Sequence, residues 1–410
     1  MPDEINSHSI ESEWNKLPGE IQTELNNILF YWEQNTPDIS GNGFAGRIDQ
    51  NNLRDPEAPR GSVLNTRILW AFSAVFRHSR NPLHLSLATR AYNYIREYLT
   101  DEKWGGIYWS VDHNGRMLDG HKQIYAQAFG IYALSEYFRV SNESDALTLA
   151  QDWYGLIEKN SLDTEFGGYI DAFARDWTVL DDMRLSVKDE NASKTMNTHL
   201  HIVEAYANLY KVWPSPDLKI RILDLLNLFD KKIIDQTTGH LILFFNKSWE
   251  PDNTIISYGH DIEAAWLLLS CAESVHDEQS INIAKANALQ ITDAAMEGLD
   301  TDGGLWYEYN KKNDELIFEK HWWPQAEALI GLCNAWQLTG NPQYKKALIR
   351  NWQFIKNFIL DKRMGEWFWG IDKEQNPMPG QDKVGMWKGP YHNSRACLEL
   401  LRRLKTSVRV

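Results

Sequence analysis

The chain has 410 residues, 43% of them hydrophobic and 24% charged, with a formal net charge of −14. That length can bury a large core. No apolar run approaches the ~18 residues of a membrane span, and no basic stripe is present to neutralise phosphates. Neither a membrane nor nucleic acid is therefore an expected partner. The 18 Trp and 17 Tyr instead suit a neutral, hydroxyl-rich small molecule with apolar ring faces.

The opening stretch, MPDEINSHSIESEWNK, is acidic and polar where a secretory signal is basic and then apolar. Cys271, Cys333 and Cys397 lie far apart in apolar helical stretches, which suggests neither a disulfide framework nor a metal knuckle. The expectation is a cytoplasmic protein with three packing thiols; oligomeric state is open, and a monomer would suffice.

From there the chain repeats one phrase six times: a glycine-centred turn, usually acidic before it and aromatic after it. The copies are GNGFAGRI from Gly41, WGGIYW from Trp104, FGGYI from Phe166, TGHLILFF from Thr238, DGGLWYEY from Asp302 and GEWFWGI from Gly365. Their central glycines, Gly43, Gly105, Gly167, Gly239, Gly303 and Gly365, are separated by 62, 62, 72, 64 and 62 residues. A fixed period of this size means an array of similar units, so residues 1–410 read as one domain.

Between turns the pattern is helical and of two kinds. Ile68–Phe76, Ala264–Leu269 and Ala326–Cys333 are apolar nearly all round, as buried helices are. Asp145–Lys159 is amphipathic, with Ala146, Leu149, Ala150, Trp153, Leu156 and Ile157 on one face. A buried helix followed by an amphipathic one, six times, predicts an inner ring wrapped by an outer ring. An open solenoid needs polar terminal repeats, whereas the last unit here is as apolar and aromatic as the middle ones. The fold expected is all-α, a closed (α/α)6 barrel with short strand-like stubs at the Gly-aromatic turns.

Inner helices of such a ring all start at one end, so polar or aromatic residues at those starts face a common pocket. They are Arg67, Tyr125, Asn197 and His201, His260 and Glu263, Trp323, and His392. Asn197 and His201 are four residues apart, and His260 and Glu263 three apart, so each pair shares a helix face. Glu263 can then hold the His260 imidazole or a sugar hydroxyl. His199 points roughly the opposite way and is expected to be structural.

Three chemistries fit a His-rich pocket. His201, His260 and His392 resemble a three-nitrogen zinc set, but no HExxH or similar ligand pair accompanies them. Glycoside hydrolysis needs two opposed carboxylates; Glu263 and Glu327 are candidates, yet His, Asn, Arg and Trp dominate the pocket positions. Proton transfer suits imidazole, which titrates near neutrality, with an arginine to hold an enediolate oxygen. The residue census favours proton transfer.

The segments APRGSVLNTRILW (58–70), YAQAFGIYALSE (125–136), KTMNTHLHIVEAYANLY (194–210), TGHLILFF (238–245), GHDIEAAWLLL (259–269), HWWPQAEALIG (321–331) and DKVGMWKGPYHNSRACLE (382–399) resemble the N-acylglucosamine 2-epimerase superfamily, most closely its cellobiose 2-epimerase branch. The resemblance runs from about Gly43 to Leu401. It implies a cofactor-independent, metal-free (α/α)6 barrel that inverts C2 of the reducing-end sugar of a disaccharide. It assigns general acid/base roles to His260 and His392, and to His201 a place beside the enediol oxygens. Arg67, Tyr125, Asn197, Glu263, Trp323 and Trp387 match substrate-binding positions, with Trp387 placed to cover the second sugar ring. The alternatives are a mannose 2-epimerase or aldose–ketose isomerase, decided by loop shape around Trp249 and Trp387, and a non-catalytic carbohydrate-binding barrel.

Overall fold

A computed structural model describes residues 7–39, 43–252 and 254–407. Gly41, which opens the first glycine turn, lies outside them. Twelve α-helices occur among the described residues: α1 (Ser7–Asn35), α2 (Ser62–Ser79), α3 (Pro82–Tyr94), α4 (Ile124–Ser141), α5 (Ser144–Asn160), α6 (Met196–Tyr210), α7 (Pro216–Leu228), α8 (Tyr258–Val275), α9 (Glu278–Ala295), α10 (Trp322–Thr339), α11 (Pro342–Phe354) and α12 (Tyr391–Ser407).

The two helix types sort as the apolar pattern predicts. The first 14 residues of α2 and of α4 are buried on every side. In α5 only Ala146, Ala150, Trp153, Tyr154 and Ile157 are fully buried, and Leu149 and Leu156 are half-buried. Each even-numbered helix packs on the next, from α2 through α4, α6, α8 and α10 to α12, and α12 packs back on α2. An open solenoid has no such last contact. One departure from the expected order concerns the ends of the chain. Among the described residues no outer helix follows α12; α1, from the other end, packs on it and covers it. One contiguous apolar core extends from Leu17 on α1 to Leu404 on α12.

Local chemistry sets the sharp corners. α2 ends on Arg80 in the left-handed region, and Asn81 then caps α3 by accepting from the Leu83 N–H, with Pro82 at the first helical position. Gly340, Asn341 and Pro342 repeat this between α10 and α11. The glycine turns close on themselves: the Gly105 N–H donates to the Asp101 carbonyl at 2.7 Å, and Gly167, Gly239, Gly303 and Gly365 do the same to Asp163, Asp235, Asp300 and Asp361. These five glycines have φ between +74° and +94°, where a side chain is strained.

The stubs tie each unit to its neighbour. The pair of residues before an inner helix is a short strand, and it joins the strand after the following glycine turn: Arg60–Gly61 with Ser110–Val111, Lys122–Gln123 with Ala172–Phe173, Lys320–His321 with Gly370–Ile371. Asp382–Val384 pairs with Arg47–Asp49, so the last unit is joined to the first through strands as well as helices.

A buried cation two residues before an inner helix anchors the aspartate of a glycine turn. Lys122 reaches Asp101 at 2.9 Å, Lys194 reaches Asp163 at 2.8 Å, and Lys320 reaches Asp300 at 2.6 Å. Arg60 at the same position pairs with Asp38 in the first unit; in the last, Lys383 pairs with Asp361 from a strand separated from α12 by a loop. In these five units the acid that precedes the glycine is therefore one half of an ion pair.

Candidate active site

Counting from each inner-helix start explains which side chains face the axis. The fourth residue is Gln127 in α4, His199 in α6, Asp261 in α8 and Gln325 in α10, and each grips a glycine-turn stub. Gln127 bonds both the N–H and the carbonyl of Ile107, and Gln325 does so with Leu305. His199 Nε2 accepts from the Tyr169 N–H at 2.9 Å, while its Nδ1 donates to the Thr195 carbonyl. Burial pushes the His199 pKa down to about 4, which keeps it neutral for that task. It is the structural histidine its position predicts.

The second and sixth residues lie one turn apart on another face. They are Tyr125 and Phe129 in α4, Asn197 and His201 in α6, Trp323 and Glu327 in α10, with Arg67 and Glu263 at the sixth place of α2 and α8. The structure brings these together with His260 and His392. Tyr125 meets His201 edge-on at 4.9 Å between ring centroids, His260 lies 4.7 Å from Trp323, and Trp323 lies 5.7 Å from His392. Arg67 donates to the Tyr125 hydroxyl at 2.7 Å and lies over the Phe129 ring. Asn197 keeps a buried side-chain oxygen without a hydrogen-bond partner, an unfilled acceptor beside the histidines.

Each imidazole is held through Nδ1. His201 Nδ1 bonds Glu204 at 2.8 Å, His392 Nδ1 bonds Glu327 at 2.7 Å, and His260 Nδ1 bonds the Ser257 hydroxyl at 2.8 Å. A carboxylate can only accept, so His201 and His392 carry their proton on Nδ1 and leave the Nε2 lone pair free of it. Glu263 does not hold His260, as its spacing suggested; Ser257 does. Burial, then the neighbouring His201, pushes the His260 pKa down to about 3. Burial, then Arg67 and Arg395, drives that of His392 well below the ordinary imidazole value.

Sequence reasoning missed the feature beneath these histidines. Arg395 on α12 is buried, and its guanidinium bonds Glu204 at 2.6 Å, Glu263 at 2.5 Å and Glu327 at 2.6 Å. Burial opposes ionisation of Glu204, but Arg395 and His201 outweigh it and hold its pKa down at about 2. Glu263 is pushed up to about 7 by burial and by the charge of Glu327. The carboxylates considered for hydrolysis therefore flank one cation instead of opposing each other across a substrate. Ligand atoms of Glu263, Glu327 and His392 lie within 4.8 Å of one another, the spacing of a metal site among the described residues. The Arg395 guanidinium already donates hydrogen bonds to two of those three groups.

Two further placements concern tryptophans. Trp387 lies on the loop before α12, half-buried, with its ring 5.7 Å from Trp109 and 6.2 Å from Tyr125. Trp249, whose loop is expected with that of Trp387 to decide between mono- and disaccharide, is buried against the third glycine turn, donating to the Phe166 and Gly167 carbonyls.

Three histidines thus converge within a closed cycle of helices, and comparison specifies the family. The chain belongs to the N-acylglucosamine 2-epimerase (GlcNAc 2-epimerase) family, whose sequence profile matches residues 43–396. It is 42% identical to the cellobiose 2-epimerase of Bacteroides fragilis over 94% of this chain and 98% of that protein. It is 37% identical to the cellobiose 2-epimerase of Dictyoglomus turgidum, over 95% and 99%. The solved cellobiose 2-epimerase of Bacillus thermoamylovorans superposes with a TM-score of 0.90 at 37% identity, covering 95% of this chain and all of that one. No helix among the described residues is long and apolar enough to cross a membrane.

Proposed function

We propose that the protein is a cellobiose 2-epimerase: a single (α/α)6-barrel catalytic domain that converts cellobiose to 4-O-β-D-glucosyl-D-mannose by inverting C2 of the reducing-end sugar. The observation that carries this reading is the set of imidazoles on three inner helices beside Arg67, two with Nδ1 fixed on carboxylates. That arrangement presents basic nitrogens to a carbon acid, and the near full-length likeness to cellobiose 2-epimerases supplies the substrate.

In the scheme, the pyranose opens and its aldehyde acidifies the C2 hydrogen. One of His260 and His392 removes that proton, giving a cis-enediolate whose oxygens accept from Arg67 and the Asn197 amide, while His201 Nε2 accepts from the neighbouring hydroxyl. The opposite histidine delivers a proton to the other face. Burial holds both imidazoles neutral in the sugar-free protein, so the delivering imidazole takes its proton from solvent, and the imidazole that gained the C2 hydrogen releases it to solvent before the next turnover. Trp323 and Tyr125 line the reducing-end ring, Glu263 binds from below, and the Trp387 indole covers the second ring. Positioned acid/base groups of this kind contribute roughly 10²–10⁴-fold each. No cofactor or metal enters the scheme, because Arg395 supplies the positive charge among Glu263, Glu327 and Glu204. Three buried thiols suit a reducing cytoplasm.

The test is chromatographic. Chelator-treated protein incubated with cellobiose should yield glucosyl-mannose. Cellobiose left unchanged while mannose is converted to glucose or fructose would move the assignment to a monosaccharide epimerase or isomerase. Inertness toward both sugars would leave only a carbohydrate-binding barrel.

A further inference from the structure

The two histidines with carboxylate partners stand on different helices, His201 on α6 and His392 on α12, and they share no direct bond. They are nevertheless joined. Glu204 uses Oε2 for His201 and Oε1 for Arg395; Glu327 uses one oxygen, Oε1, for both His392 and Arg395. The remaining Glu327 oxygen accepts from the Trp266 indole at 3.0 Å. Tyr391 donates to Glu204 at 2.7 Å, and the guanidinium is packed between the Tyr391 and Trp266 rings, 4.2 and 4.9 Å from their centroids. Arg395 is 1% exposed, so the sugar cannot reach it.

We propose that Arg395 is a positioning residue, which orients His201 and His392 together by clamping the two carboxylates that hold their Nδ1 atoms. The planar fork of guanidinium suits this task, since it presents separate donors in fixed directions to three carboxylates. A lysine ammonium is a compact point charge and cannot span them. If the carboxylates lose their common anchor, both imidazoles lose the rotamer and tautomer that aim Nε2 at the pocket. Misplacement of catalytic groups by about 1 Å can cost on the order of 10²-fold. The kinetic part of the proposal rests on the epimerase reading; the structural part does not.

Arg395→Lys, compared with the wild-type protein, is the test, read in two ways. The first is kinetic: kcat for cellobiose should fall roughly 10²-fold, with KM changed by less than about threefold because the groups that touch the sugar remain. The second is the imidazole ¹⁵N spectrum of the sugar-free protein, with signals assigned from His201→Gln and His392→Gln. The wild type should show both histidines protonated at Nδ1, and Arg395→Lys should show mixed tautomers at both. Should that variant fail to fold, Glu327→Gln decides: with Arg395 present it should move the His201 signals, although His201 bonds only Glu204. A kcat within about threefold of wild type, unchanged tautomers in Arg395→Lys, or a His201 spectrum indifferent to Glu327→Gln would each overturn the proposal. A wild-type protein inactive on sugars but with coupled imidazoles would instead refute the epimerase reading and leave the clamp standing.

Discussion

Arg67 and Trp387 are bonded across the closure of the chain: the guanidinium of the first inner helix donates to the Trp387 main-chain carbonyl at 2.8 Å. Because the contact uses the carbonyl, the indole is left to its ring contacts with Trp109 and Tyr125. Trp387→Ala therefore removes the ring without releasing Arg67. Aromatic packing contributes about 0.5–1.5 kcal/mol beyond area burial, so kcat/KM for cellobiose should fall roughly 3- to 10-fold. Mannose, which lacks the second ring, should be affected much less. Equal losses on both sugars would show that the indole merely closes the barrel end.

His260→Ala and His392→Ala should each lower epimerisation by roughly 10²–10⁴-fold, with unchanged circular dichroism. Neither imidazole supports the glycine-turn stubs, a task that falls to His199, Gln127 and their equivalents. His199→Ala should show the converse, with stability lost before activity, measured by thermal unfolding alongside turnover. Near-normal rates in either folded His260 or His392 variant would refute the proton-transfer scheme.

The buried lysines give a stability prediction. Lys194 donates to Asp163 at 2.8 Å and to the Gly167 and Lys247 carbonyls at 2.7 Å each, and its side chain is fully buried. Lys194→Met removes the cation from the buried Asp163 carboxylate, which keeps only its bonds from the Glu165 and Phe166 N–H groups. Breaking a buried pair by removing one partner costs about 3–5 kcal/mol, which chemical denaturation would read directly. A change below about 0.5 kcal/mol would mean that the repeated cation is dispensable.

Proton linkage gives a signed expectation for the sugar-free protein. His260 is held at about 3 when folded against 6.5 ordinarily. Between those values the unfolded chain binds a proton that the folded one does not. The stability this provides is full above pH 6.5 and is lost as the pH falls through the window. Glu263 has the opposite sign: its pKa rises from 4.5 to about 7, so its contribution is full below 4.5 and is lost as the pH rises toward 7. Imidazole ¹⁵N shifts of His260 should accordingly show no protonation between about pH 7 and 5. A midpoint near the ordinary imidazole value would contradict the burial argument.

Much of this was legible in the residues, because the fold repeats its own punctuation. The glycine turns, the all-apolar and amphipathic helices, and the polar side chains at inner-helix starts are local patterns, and the structure places them as their spacing predicts. The cover of α12 by α1 was not legible, since it joins the two ends of the chain and nothing local in Ser7–Asn35 names a partner. The Asp–Lys pairs left half a trace, in the acid before each glycine. Lys122 and Lys194 sit on two-residue strands, 21 and 31 residues along the chain from their aspartates. Arg395 left none. It reads as one more charge on the last helix, and only the convergence of Glu204, Glu263 and Glu327 from three other helices makes it the centre of the site.

The most direct measurement is NMR of the chelator-treated protein with cellobiose in D2O. The account predicts glucosyl-mannose with deuterium at C2, since a proton taken by one imidazole and returned by another comes from solvent. Glucosyl-mannose that retains protium at C2, or cellobiose that neither epimerises nor exchanges, would contradict it.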